Sequence, residues 1–502
     1  MPRYFLRVEA VNLDNIIDDT DDLSTRRGGG LMAMNAPGQL LGDEKTPGNL
    51  HDEATRIKLK PICTGASIGL FELTADSDEG AEKVVEAVRE HFRSGSLEYE
   101  DTENKKTEHI RLHHGTFSID AVAVGENEYE VEQLLLAKIR WQQLSTPTIS
   151  LAGLWEPTNK PCEYDFVRPG VVDELKAPNH PKLSNSVAER RKYGRYAKQQ
   201  FYRDELQAVG DYPGYEFTND FQEIAEHPDG DDSSMHNKLA VFYVDGNQFG
   251  EKGRRIFQEQ GAAGFKEWSD ALRKHHRTLL RDLLKRTEVD ELWSNSGKIR
   301  LETPLWGGDE IIWIVPAWKG WELVEWFFGQ KHEIVLRGET KTLSYACGLV
   351  FSNAKAPIKN VRILAKDKLG EAAKRVGRAD NVHRLAYEVL ESFDDISGDF
   401  DKYRKKWLPP MTSISQLVLD PTRKIWEPLR KLAGTEEFPM RQLYNCVKAW
   451  RQEDQTKKSK AIKRLETADP EKELQQFISG EVDYLHLLQM IPYTSVPKAV
   501  TS

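Results

Sequence analysis

The sequence predicts an α+β fold: two ferredoxin-like sheets, the first degenerate, with an irregular insert between them and a helical C-terminal domain. Three observations carry this reading. Between Leu239 and Phe393, apolar strand-like runs and stretches of helical periodicity alternate in the order β-α-β-β-α-β, with one extra helix. Residues 1–150 repeat that alternation in weaker form. From Pro409 to Tyr493 the spacing is helical and the charge is dense. The expected domains are 1–150, 151–236, 237–400 and 401–502.

The elements follow in order. Tyr4 to Leu13 alternates and is β-branched enough to form a strand. An acidic stretch with Asp14, Asp18, Asp19, Asp21 and Asp22 follows and reads as a solvated loop. Ser24 or Thr25 then caps a helix whose start carries Gly28, Gly29 and Gly30. Asn35 to Asp52 reads as loop. Strands are expected at Ile57–Thr64, Ile68–Thr74 and Thr116–Val124, and helices at Gly80–Phe92 and Val131–Gln143. Leu154 to Met235 is irregular, apart from a basic helix, Val187–Tyr202, with Arg190, Arg191, Lys192 and Arg195. Leu239–Val244 is a buried strand, and Arg254–Arg286 a long helix broken near Gly261–Gly264. Ile299–Trp306 and Ile311–Val315 form a hairpin. Trp318–Phe328 is a helix, Ser344–Phe351 a strand, Ile358–Arg375 a helix and Arg384–Phe393 a last strand.

The bulk numbers bound the function. The chain has 502 residues, 39% of them hydrophobic, with 12 Trp, which suffices for several cores. No apolar run approaches the ~20 residues that span a bilayer. Met1 to Asn12 reads as a strand followed by acids, not as a leader. The four cysteines, Cys63, Cys162, Cys347 and Cys446, are far apart and form no C-x-x-C pair, so a disulfide framework and a cysteine-rich zinc site are not expected. A reducing, cytoplasmic setting is the default. The net charge of −10 argues against a surface coated in non-specific nucleic-acid contacts.

Chemistry concentrates in two acidic places. Asp245 ends a buried strand in Val-Asp-Gly-Asn-Gln-Phe-Gly, and Asp309 and Glu310 follow Gly307 and Gly308 in a tight turn. In a ferredoxin-like sheet the first strand lies beside the hairpin, so Asp245 and Asp309 meet across neighbouring strands. Carboxylates that close repel unless a cation lies between them. Mg²⁺ or Mn²⁺ suits oxygen ligands, and two such ions about 3.5–4 Å apart clamp the attacking and leaving oxygens of phosphoryl transfer. The expected metal ligands are Asp245, Gly246, Asp309 and Glu310. The glycines let backbone approach a triphosphate.

These motifs resemble the palm domain of the large polymerase-like subunit of type III CRISPR effector complexes, a family similar to GGDEF and class III nucleotide cyclases. The matching residues are Asp245-Gly246, Gly307-Gly308-Asp309-Glu310 and Phe351-Ser352-Asn353-Ala354-Lys355-Ala356-Pro357, continuing through Leu364-Ala365-Lys366. The resemblance covers Lys238 to Phe393 well. A weaker one covers Leu23 to Gly30. It implies synthesis of cyclic oligoadenylate or a similar cyclic nucleotide from ATP in antiviral defence, with RNA and other effector subunits as partners. Three features depart from the family. The last acid is Glu310 rather than Asp, Cys162 has no cysteine quartet around it, and His51-Asp52 lacks the partners of an HD nuclease.

Other residues carry two readings each. Lys355 and Lys366 either bind triphosphate oxygens or are solvated helical lysines. Ser352 and Asn353 follow a strand and are candidates to touch the nucleotide, as is Asn247. Phe249 either flanks the base or packs in the core. His113 and His114 read as structural. The Arg190–Arg195 helix either contacts RNA or is a solvated face. Glu9 parallels Asp245, and Thr64-Gly65-Ala66-Ser67-Ile68 parallels Trp306 to Glu310, so the first half is expected to keep a sheet, lose the metals and shape one wall of the nucleotide pocket. Three functions follow: a metal-dependent enzyme that joins ATP into a cyclic product, a different enzyme of the same palm class (a mono- or dinucleotide cyclase, or a polymerase), and a scaffold subunit that binds RNA or proteins with the palm as a relic.

Overall fold

The computed structural model describes residues 1–41, 59–65, 67–101, 104–145, 160–174, 179–210, 212–230, 233–288, 290–378, 380–390, 417–423, 428–429, 431, 439–468, 477–478 and 480–494. His51 and Asp52 lie outside the described residues.

The first half contains β1 (Arg3–Val11), α1 (Leu23–Asn35), β2 (Leu59–Gly65), β3 (Ile68–Thr74), α2 (Asp78–Ser94), β4 (Ser96–Asp101), β5 (Lys106–Arg111), β6 (Thr116–Ala123) and α3 (Glu128–Ser145). β4 and β5 form a hairpin that the sequence reading missed; its charged positions mask the alternation of Leu97, Tyr99 and Ile110. The remaining strands form one sheet in the order β2-β3-β1-β6. Alternate residues of β1 serve two faces. Tyr4, Leu6 and Val8 join a core with Met32, Val85, Val88 and Phe92 of α1 and α2. Phe5 faces the other way, packing with Leu135 of α3.

Two short strands, β7 (Val172–Asp173) and β8 (Lys182–Leu183), precede α4 (Asn185–Gln207) and the short α5 (Phe221–Ala225). α1 and α4 cross in intimate contact. A Cβ on Gly28 would lie 1.8 Å from the Arg190 carbonyl oxygen, and one on Gly194 would lie 1.9 Å from that of Ser24. Only glycine allows this approach. The cap of α1 corrects the expectation of Ser24 or Thr25: Asp22 is the cap, and its carboxylate accepts from the Thr25 backbone N–H at 2.8 Å.

The acidic loop and the basic helix are corrected in part: Asp14 and Asp21 are exposed as expected, but Asp19 and Asp22 pair with Arg190 and Arg191 of the helix. Arg190 is fully buried and pairs with Asp19 at 2.8 Å. Arg191 pairs with Glu174 at 2.7 Å and with Asp22 at 3.3 Å. Lys192 pairs with Glu108 at 2.8 Å. Asp18 is buried between Arg26 and Arg362. Arg190 and Arg191 therefore present no face to RNA.

The second half contains β9 (Lys238–Gly246), α6 (Phe249–Glu288), β10 (Ser294–Asn295), β11 (Lys298–Ile299), β12 (Glu302–Gly307), β13 (Glu310–Pro316), α7 (Gly320–Gly329), β14 (Glu333–Leu336), β15 (Glu339–Thr342), β16 (Tyr345–Asn353), α8 (Ile358–Ile363), a π-helical segment at Leu364–Gly370, α9 (Glu371–Gly377) and β17 (Arg384–Val389). The predicted break in the long helix is at Gly261, where φ is 65°. The predicted Ile299–Trp306 strand is interrupted, with β11 and β12 separate. The sheet order is β12-β13-β9-β16-β17, with β9 central and its apolar run buried throughout.

The first four strands in this order, β12-β13-β9-β16, match β2-β3-β1-β6 of the first half one for one. α3 follows β6 and packs on β1 and β6, as α8, the π segment and α9 follow β16 and pack on β9 and β16. The halves thus share four strands in the same order plus a covering helix. α6 joins them: Phe257 meets Phe5 edge-on at 6.1 Å, while Leu279, Leu280 and Leu283 belong to the core under the second sheet. The first sheet therefore meets α6, and α1 reaches the second sheet at β12.

Helices α10 (Met440–Arg451), α11 (Gln455–Ala468) and α12 (Glu481–Met490) agree with the expected helical C-terminal segment. They are anchored to the second half, where Tyr387 Oη and His486 Nδ1 lie 2.9 Å apart and the Tyr493 ring packs tilted against Phe351 at 4.6 Å. Among the described residues no helix is long and apolar enough to cross a membrane.

Candidate active site

The acids meet as the sequence predicts, with one change of partner. Asp245 is the next-to-last residue of β9 and the register partner of Glu310, the first residue of β13. Asp309 lies in the turn, and its carbonyl oxygen accepts from the Gly246 N–H at 2.9 Å. Gly307 pairs with Glu310, which leaves a two-residue turn. Gly308 has φ 62° and Gly307 φ 145°, in the region that favours glycine. The first half repeats this register: Glu9 opposes Ile68, and Gly65 closes the turn with Ile68.

Two ammonium groups compensate the acids. Lys366 Nζ lies 2.7 Å from Glu310 Oε1, and Lys374 pairs with Asp245 Oδ2. Tyr243 Oη donates to Glu310 Oε1 at 2.8 Å. The lysines are eight positions apart, one more than two α-helical turns. The π segment between them closes i→i+5 turns and takes up the extra residue, so both side chains reach the acids. Two glycines let this helix lie close on the sheet: a Cβ on Gly348 would be 2.0 Å from the Ala365 carbonyl oxygen, and one on Gly370 2.6 Å from the Tyr243 ring.

Burial raises the Asp245 carboxyl to about 6, and the negative Asp309 and Glu310 add to this against the Lys374 hydrogen bond. Asp309 is also raised, by burial and then by Glu310. Burial lowers the Lys374 ammonium, but its hydrogen bond and attraction to Asp245 prevail and the net shift is upward.

The donor set fits a hard divalent cation. Every candidate side-chain ligand is a carboxylate oxygen, and Asp245 Oδ1 is buried with no hydrogen-bond partner. Yet among the described residues no group of three or more His, Cys, Asp or Glu side chains is arranged to hold a metal. The acids are adjacent but are held by lysines.

Several expected contacts lie elsewhere. β16 runs antiparallel to β9, so Ala346 faces Asp245 while Ser352 and Asn353 face Leu239 and Lys238. At ~3.4 Å per residue, that end of the sheet is roughly 20 Å from Asp245. Ser352 is buried there, and Asn353 Oδ1 accepts from the Lys355 N–H at 2.9 Å. Ser352, Asn353 and Lys355 are thus removed from the acids; the chain returns to them only at Lys366. Asn247 is fully buried and ties strand ends together, its Nδ2 donating to Ser344 Oγ and to the Val382 carbonyl, each at 3.0 Å. Phe249 is a core residue, packed edge-on against Tyr345 at 5.4 Å and Trp268 at 5.8 Å. Its ring lies over Gly246, where a Cβ would approach it to 2.4 Å. His114 is structural as expected, bonded to Glu189 at 2.8 Å. Lys374 was not anticipated from the sequence; its helical phase to Lys366 is wrong unless the π turn is known.

The fold and the paired acids define a class: two ferredoxin-like halves with an acidic hairpin at the end of the second central strand. Solved structures share the overall fold. The chain is similar to a Csm1–Csm4 cassette in complex with one ATP (TM-score 0.53, 10% identity, 99% of this chain and 70% of that chain). It is likewise similar to such cassettes with cA4 (TM-score 0.52, 11% identity, 99% and 70%) and with cA3 (TM-score 0.51, 13% identity, 99% and 70%). The likeness is one of fold. No family model matches the chain, and no curated protein does.

Proposed function

We propose that the chain is a palm-type, metal-dependent nucleotidyltransferase that joins ATP into a cyclic oligonucleotide, within a type III CRISPR-like effector or as a relative of its large subunit. The observation that carries this is the Asp245–Glu310 cross-strand pair on a two-glycine turn. The fold shared with cassettes described with ATP, cA3 and cA4 supports the nucleotide class.

In this reading Asp245, Asp309 and Glu310, with the Gly246 backbone, hold Mg²⁺ or Mn²⁺. The bound metal supplies a Lewis acid for a ribose hydroxyl attacking an α-phosphate with loss of pyrophosphate. The chain's own residues do the rest. Gly307 and Gly308 leave room for the triphosphate. Lys366 and Lys374, which pair with Glu310 and Asp245, turn to the phosphate oxygens. Tyr243 orients Glu310 through its hydroxyl hydrogen bond. A protein of Csm4 type, RNA and other effector subunits are the proposed partners.

The lysine-held acids favour one second reading, a scaffold whose palm is silent. Incubating the protein with each nucleoside triphosphate and Mn²⁺, followed by mass spectrometry, separates the two. We expect a cyclic adenylate product that disappears in Asp245→Ala and in the Asp309→Ala, Glu310→Ala double variant, with melting curves showing both still folded. Normal turnover in the folded double variant overturns the assignment.

A further inference from the structure

The loop between β1 and α1 is bound to the helix that carries both lysines. Asp18 is 6% exposed, and its carboxylate is shared by Arg26 of α1 and Arg362 of α8. Lys359 Nζ of α8 donates to the Asp18 carbonyl oxygen at 3.1 Å. The loop is fixed from its other side: Arg190 pairs with Asp19 at 2.8 Å, and Arg168 reaches Asp19 at 2.6 Å and the Asn15 carbonyl at 2.8 Å. The first half thus holds a rigid carboxylate against α8.

α8 runs without a break into the π segment and α9. Arg362 is therefore one helical turn before Lys366 and on the same rigid body as Lys374. The face of this run that meets the sheet is apolar and small, with Val361, Leu364, Ala365, Leu369, Ala372 and Ala373. Such contacts resist separation but define rotation and sliding weakly, because dispersion and burial are non-directional. A guanidinium on a buried carboxylate is directional.

We infer that Asp18 and Arg362 are positioning residues of the nucleotide site: the first half of the chain sets, through α8, where Lys366 and Lys374 present their charges. Neither residue touches the acids. The inference rests on the proposed reading of the site as one that binds a nucleoside triphosphate with metal.

The test is calorimetry with Mn²⁺ and an ATP analogue whose α–β bridge cannot be cleaved. Arg362→Met leaves Asp18 paired with Arg26, so it is the milder change; Asp18→Asn is the second variant. Each is expected to weaken analogue binding roughly two- to thirty-fold. In a background of Lys366→Met and Lys374→Met, Arg362→Met should have no further effect, because its influence runs through those side chains. Equal losses in both backgrounds overturn the inference, as does unchanged affinity in the folded single variants. Failure of the unaltered protein to bind the analogue overturns instead the reading of the site. If Asp18→Asn does not fold, the two-background comparison of Arg362→Met decides alone.

Discussion

Asp245 carries an electrostatic penalty that pH exposes. Its folded value of about 6 lies above the ordinary 3.8, so between those limits the folded chain holds a proton that the unfolded chain has lost. Stability therefore falls as pH rises from about 4 to 6 and stays lower above that, by roughly 1–3 kcal/mol at most. Asp309, raised in the same direction, adds to the slope. In chelator, Asp245→Asn is expected to show a flatter dependence of melting temperature on pH across this window. A slope as steep as that of the unaltered protein would mean that another group titrates there. The residue scale also shows where the sequence misleads. Ser352, Asn353 and Lys355 are neighbours of a strand in sequence, but antiparallel pairing carries them to the far end from Asp245. Asp245 and Glu310 were legible because Asp245 precedes Gly246 at the end of a strand and Glu310 begins a strand just after the Gly307-Gly308 turn, and strand ends meet in a hairpin register.

At the scale of elements, most of the strands and helices were legible from periodicity, since their apolar faces are buried against a sheet. The β4–β5 and β14–β15 hairpins were not, because their outward positions are charged and β15 is exposed along its length. Nor was the α1–α4 crossing, although Gly28 and Gly194 carry its signature. Their spacing becomes informative only when the partner helix is known. The crossing gives a paired test. A Cβ on Gly28 meets the Arg190 backbone at 1.8 Å, whereas on Gly30 the nearest atom is the Pro304 carbonyl oxygen at 3.7 Å. Gly28→Ala should destabilise by roughly 1–3 kcal/mol or more through overpacking. Gly30→Ala, in the same helix with room for the methyl, should stabilise by about 0.5–1 kcal/mol. Denaturant melts of the two variants measure the difference; equal effects would mean that helix propensity, not close approach, explains the glycines.

Over the whole molecule, charge joins the parts as much as apolar packing does. Glu302 of β12 is buried between Arg27 of α1 at 2.7 Å and Lys198 of α4 at 2.8 Å. Burial opposes its charge, but the two cations prevail and hold it at about 2, while burial lowers Lys198 to about 8. Glu302→Gln strands two buried cations, and a loss of about 3–5 kcal/mol is expected in chemical denaturation.

The same charge logic separates the two halves. Glu9 occupies the register place of Asp245, but Arg7 Nη2 takes its Oε2 at 2.8 Å and Arg140 of α3 takes its Oε1 at 2.8 Å. The place of Glu310 is held by Ile68, which has no donor for a metal. In the second half Asp245 retains a buried oxygen without a partner, and its cations are single-point ammonium groups on long stems. Guanidinium forks fill a carboxylate more completely than ammonium groups do. One metal centre per chain is therefore expected, at the end of β9 and not of β1. Anomalous scattering from crystals grown with Mn²⁺ should show density beside Asp245 and Glu310 and none beside Glu9 and Ser67. Lys374→Met, which removes the competing cation, should tighten Mn²⁺ binding in the absence of nucleotide. Weaker binding in that variant would show that the lysine supports the metal rather than standing in for it, and density at Ser67 would show that the first half has kept a centre of its own.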